Sequence, residues 1–123
     1  MLHSRISYFI AYALLGVMFI LMVFSARKES AIMDELAHIP AAYSYVALHD
    51  YRLNPEHPPL AKDLAGIPLL FLNLNFPLDV TAWAKDVNGQ WTMGTIFLYE
   101  SGNNPDQILF WARLPLMLLA LLF

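Results

Sequence analysis

Ile6 to Phe24 runs nineteen residues without a charged side chain. A helix over that run rises ~28 Å at ~1.5 Å per residue, enough to cross a hydrocarbon core of ~30 Å. In lipid such a segment must satisfy its backbone polar groups internally, which a helix does. The alternative is a secretory signal peptide, since Arg5 suits a charged start and the small Ser25 and Ala26 suit a cleavage site. Nineteen apolar residues exceed the ~7–15 of a signal h-region, so the reading is an uncleaved transmembrane helix over 6–24, preceded by a short tail, 1–5. Composition agrees: 59% of residues are hydrophobic and 14% charged, against ~45–50% apolar in soluble chains. Orientation stays open on charge alone, because Arg5 flanks one end and Arg27 with Lys28 the other.

Residues 25–107 hold all ten acidic side chains and five of the seven basic ones, a loop of net −5 facing water or the interface. The whole chain is at −3 and carries no basic stripe, which argues against nucleic acid as a partner. Without cysteine there is neither a disulfide nor a thiolate metal site. Ile108 to Phe123 is apolar again, with Arg113 its one charge and Pro115 close behind, and reads as the start of a second transmembrane helix. The expectation is therefore an all-α membrane protein, the N-terminal part of a larger multi-pass chain, with 25–107 as a loop carrying interfacial helices. Within it Leu60 to Leu72 is too short to span and is expected to lie on the membrane. Asn73 to Asn104 is expected to be short and irregular, with Trp83, Trp91 and also Trp111 resting at headgroup level.

Chemistry concentrates between Asp34 and Lys62. Wound as a helix, Ile32, Leu36, Ile39, Tyr43 and Val46 share a packing face. Asp34, Glu35, His38, Tyr45 and His49 fall on another side, so a stripe of acid, imidazole and phenol is presented away from the packed face, provided Pro40 kinks the helix only modestly. Asn54 to Pro59 then places three prolines in five positions, a rigid elbow.

The order of these pieces carries a resemblance. Asp34-Glu35 just after a first apolar helix, then His57-Pro58-Pro59-Leu60-Ala61-Lys62, resembles the N-terminal part of the protein O-mannosyltransferase-like family. More broadly the chain is similar to the polyprenyl-phosphate-sugar-dependent membrane glycosyltransferases, which include the lipid A aminoarabinose transferases. Phe97-Leu98-Tyr99, Asn103-Asn104-Pro105-Asp106 and Phe110-Trp111-Ala112-Arg113-Leu114-Pro115 resemble bacterial relatives at the entry to their second transmembrane segment. The resemblance implies a multi-pass protein of a bacterial-type plasma membrane, with the loop on the non-cytoplasmic side. It further implies transfer of a mannosyl-like sugar from a polyprenyl-phosphate donor to a protein or lipid acceptor, and an isolated chain of this length that is inactive.

Glycosyl transfer needs a base for the acceptor's proton. The resemblance places the acidic pair on the acceptor side, so Asp34 is the expected base and Glu35 its partner or a substrate ligand. His57 and Lys62 flank the elbow and are expected to orient the loop or the donor phosphate, with Arg52 a second basic candidate and His38 a further substrate contact. Asp34 to His38 also has D-E-x-x-H spacing, in which a carboxylate and an imidazole four apart can share a divalent ion. A third ligand would come from His57 or from outside the chain, and on that basis a membrane metallohydrolase is one rival reading. The other is a non-catalytic anchor or assembly subunit whose apolar surfaces bind partner helices. No cofactor is certain from the sequence beyond that candidate divalent ion, and metal dependence stays open.

Overall fold

The computed structural model describes residues 2–122, with side chains from Arg5 onward. It is all-helical, with no strand among the described residues. The first helix, α1 (Leu2–Lys28), is long and apolar enough over Arg5–Lys28 to cross a membrane. Its side chains stand out from the rest of the molecule for most of its length. Five further α-helices gather beyond its C-terminal end, α2 (Met33–Tyr43), α3 (Leu60–Gly66), α4 (Thr81–Ala84), α5 (Gln90–Thr95) and α6 (Pro105–Ala120), with a 3-10 turn at Ile67–Phe71 extending α3. Two π turns, Ser44–Leu48 and Ile96–Glu100, prolong α2 and α5.

Helix α2 lies at the centre, packed against α3 on one side and α5 on the other. Close approach is possible because Ala37, Ala41 and Ala42 are small and fully buried. Pro40 has no N–H to give to the Leu36 carbonyl, and it is against that carbonyl that α5 seats Gly94: a Cβ there would stand 1.8 Å from Leu36 O. Gly66 makes the same kind of approach from α3, where a Cβ would fall 2.4 Å from Ala42 O. The helix continues through Pro40, widens into the first π turn and ends at His49, which takes the left-handed conformation at φ 53°.

From Ala37 onward α2 is enclosed rather than two-faced, and this corrects the expected stripe. Tyr45 is buried in the core and His49 is exposed at the helix end, so neither joins Asp34 and His38. On the expected packing face Ile39 is buried, whereas Ile32 is 62% exposed.

The segment expected to be irregular supplies much of the interior. Met93, Phe97 and Leu98 are fully buried with Leu69, Ile108 and Leu109, each such side chain worth ~1.5–3 kcal/mol of burial. Phe76 sits among Tyr43, Trp83 and Phe97 at centroid distances of 5.5, 5.1 and 5.2 Å, in tilted or edge-on geometries that aromatic rings favour. Trp83 is buried there, in place of the headgroup position expected from the sequence. The Asn103 amide pairs with the Asn75 backbone, accepting from its N–H at 2.9 Å and donating to its carbonyl at 2.8 Å, which ties this loop to the approach of α6. Helix α6 then starts on an Asn104 cap that accepts from Gln107 N, with Pro105 at the position where a missing N–H costs nothing.

Helices α1 and α6 run antiparallel. The Arg27 guanidinium lies 5.0 Å from the Phe110 ring centroid, while Met22 and Ser25 border one hollow with Leu116 and Met117.

Candidate functional site

A cavity of about 610 Å³ opens between the first turns of α2, the proline elbow, α3 and the second half of α6. Its walls are mainly apolar, with Ile39, Leu60, Leu64, Leu116 and Leu119 among them. Its polar groups are Asp34, Glu35, His38, His57, Lys62 and Arg113. Five of the six site residues expected from the sequence thus share one hollow. Arg52 does not: it pairs with Asp50 at 2.7 Å, lies over the Trp83 ring at 4.4 Å and donates to the Trp83 carbonyl, away from the cavity. The guanidinium beside it holds the Asp50 carboxyl below the usual range.

The acidic pair divides its labour. Glu35 is bound on both oxygens: Arg113 Nε donates to Oε1 at 2.7 Å and Nη2 to Oε2 at 2.6 Å, while Ile32 N donates to Oε2 at 3.0 Å. The remaining Arg113 donors reach the carbonyls of Ala26, Glu29 and Ser30 at 2.9–3.0 Å. All five guanidinium N–H groups are committed, and the last turn of α1 receives a cation where its free carbonyls favour one. A carboxylate so engaged positions the start of α2; it is not open to a substrate in the way the sequence reading expected. Asp34, its neighbour, is exposed at the cavity mouth and makes no hydrogen bond or ion pair among the described residues.

His38 and His57 meet edge to face with ring centroids 5.1 Å apart, one from α2 and one from the elbow. Burial pushes the His38 pKa below the ordinary histidine value, with Lys62 and His57 acting in the same direction and Asp34 and the Asn54 side chain opposing. The neutral imidazole is the form this setting favours. Lys62 contributes differently from expectation. It is 4% exposed, and its ammonium donates to Asn54 O at 2.6 Å, Asn54 Oδ1 at 2.8 Å and Tyr45 Oη at 3.0 Å. Three donors meeting three acceptors leave none for a donor phosphate, so the expected phosphate contact at Lys62 is replaced by an internal role. Its pKa is lowered by burial, against the pull of Glu56 and Asp63.

Sequence reading missed Asn54 and Tyr45 as supports of this site. One signal was present for Asn54: asparagine tolerates the left-handed conformation it adopts here, at φ 51°, just before Pro55. Tyr45 gave none, since its expected place was on the open face. As for a metal, no group of three or more acidic or imidazole side chains among the described residues is placed to hold an ion; Asp34 and His38 gain no third ligand from His57. The chain matches no family model, no curated protein and no solved structure.

Proposed function

We propose that this chain belongs to a membrane glycosyltransferase that moves a mannosyl-like sugar from a polyprenyl phosphate to a protein or lipid acceptor. The observation that carries the reading is the exposed Asp34 carboxylate, without a hydrogen bond or ion pair among the described residues, at the mouth of a cavity that is polar at one end and apolar along its walls. An amphipathic donor with a polar head and a hydrocarbon tail has that distribution of surfaces. Support also comes from α1, whose length and apolar surface suit a spanning helix, and from the antiparallel α6, whose exposed Leu116, Leu118 and Leu119 run beside it. In this reading the protein is integral and multi-pass, the gathered helices lie on the non-cytoplasmic side, and the cavity stands at the level of the headgroups.

The chemistry assigned to Asp34 is general-base catalysis. Its carboxylate takes the proton of the acceptor hydroxyl as that oxygen bonds to the anomeric carbon, and the bond from that carbon to the phosphate oxygen breaks to release polyprenyl phosphate. His38 and His57 border the same space as hydrogen-bonding groups for sugar or phosphate. The test is transfer from a polyprenyl-phosphate sugar in membranes holding the full-length protein, wild type beside Asp34→Asn at matched expression. Asn keeps the size and cannot accept the proton, so transfer is expected to fall at least ~100-fold with donor binding retained. Undiminished transfer in Asp34→Asn removes it from the mechanism.

A further inference from the structure

Lys62 is a buried cation with no carboxylate within ion-pair distance among the described residues. Taking such a charge out of water is costly unless every donor is met, and here each is met by a neutral oxygen. Those oxygens come from two separate places. Tyr45 belongs to the π turn after α2; its single hydroxyl proton goes to the Leu53 carbonyl at 2.7 Å, leaving a lone pair for the ammonium. Asn54 is the left-handed residue that opens the elbow. One ammonium on α3 therefore fastens the end of α2 and the start of the elbow together. Between Asn54 and the first residue of α3 lie five residues, Pro55 to Pro59, three of them prolines with fixed φ. With both ends of that short, stiff segment anchored, the place of His57 within it is set.

We propose that Lys62 is a positioning residue of the cavity, whose ammonium holds the Asn54–Pro59 elbow so that His57 seats edge-on against His38. This deepens the reading of the cavity as a transfer site and rests on it for its functional meaning. The groups that face His38 are Asp34 on its own helix, His57 and the Asn54 side chain from the elbow, and Lys62 from α3. From α6 only Arg113 reaches the cavity as a charged group, and Glu35 neutralises it. Removing Lys62 acts in one direction on His38: a nearby positive charge is lost, and a loosened elbow admits water. Both changes favour the imidazolium.

The experiment follows the imidazole resonances of the chain in lipid nanodiscs, with the four histidines assigned by single substitution to Gln. In Lys62→Met the His38 titration is expected to move up toward ~6.5, and the His57 resonance to lose its ring-contact shift. Lys62→Cys alkylated with 2-bromoethylamine before reconstitution restores an ammonium at nearly the same reach, and both signals are expected to return; the chain has no other cysteine to react. Should Lys62→Met fail to fold, Tyr45→Phe decides, since phenylalanine keeps the ring and deletes one of the three acceptors without removing a group that faces His38. A His38 titration and a His57 resonance unchanged in whichever variant folds overturn the proposal. Transfer assays on the full-length protein form a separate arm: a loss of at least tenfold in Lys62→Met, recovered on alkylation, extends the positioning role to catalysis. Absence of transfer in the wild type removes the transferase reading and leaves the imidazole result standing.

Discussion

Every donor on Arg113 and Lys62 is spent inside the protein, so each of these two cations has a measurable structural weight. The Arg113 and Glu35 side chains are 16% and 20% exposed, and breaking a buried pair costs ~3–5 kcal/mol. With that residual exposure, Arg113→Met is expected to destabilise by about 2–3 kcal/mol. Glu35→Gln is expected to cost about as much, and the double variant less than their sum, as a double-mutant cycle in micelles would measure. Equal and additive losses would mean that the two side chains act separately. His38 gives a pH dependence. Burial lowers its pKa below the ordinary 6.5, so folding favours the neutral ring: stability is full above about pH 6.5 and declines as pH falls through the depressed value. Unfolding measured between pH 7.5 and 5 is expected to show this slope, and His38→Gln to flatten it. Asp50, whose carboxyl is lowered from 3.8 chiefly by its bond to Arg52, loses its contribution only below that range. Among single residues the sequence singled out Asp34, His38 and His57, which line one cavity, because charge and imidazole are rare in so apolar a chain. It was a poor guide to Lys62, Glu35 and Arg52, since whether a charged group faces a ligand or a neighbour depends on partners far along the chain.

Helices pack here as closely as their backbones allow, and α2 shows what that requires. Gly94→Ala would drive a methyl group into the Leu36 carbonyl, backbone against backbone, and is expected to cost about 3 kcal/mol. Gly16→Ala serves as the contrast: nothing lies within 4 Å of the added carbon, and in an exposed helix interior it is expected to be neutral or stabilising by up to ~1 kcal/mol. Thermal unfolding of the two variants side by side would separate a packing effect from helix propensity. The legibility of elements followed the same division. Helix α1 could be read directly from its run of apolar residues, and α6 from the apolar run beginning at Ile108, three residues after the helix itself starts at Pro105. For α2 the winding placed its beginning correctly, but periodicity assumes one open face. A helix enclosed by α3 and α5 has none, which is why Tyr45 was expected outside. Between Asn73 and Asn104 the four-residue α4 is too short for a period to register, and α5 with its π turn, Gln90–Glu100, winds too widely in its second half to keep one, yet Phe76, Met93 and Phe97 make the segment part of the core.

At the scale of the molecule, one exposed apolar helix leads into a group of short ones that bury their own interior. The proposed topology makes a direct prediction, aided by the absence of native cysteine. In Asn88→Cys, on an exposed turn, an impermeant maleimide is expected to react from outside intact cells. In Leu15→Cys, within the apolar run of α1, it is expected to react from neither side. Labelling of Asn88→Cys only after permeabilisation would put the gathered helices in the cytoplasm. The guanidinium of Arg113 also has a meaning in time. It serves carbonyls that lie 83 to 87 positions earlier in the chain. At ~5–20 residues per second of synthesis, that interval is roughly 4–17 s. Throughout it the carbonyls of Ala26, Glu29 and Ser30 lack this partner, so the end of α1 is without its arginine clasp. Once made, a single side chain both closes the end of α1 and ties α6 to it, so the clasp cannot form before α6 exists.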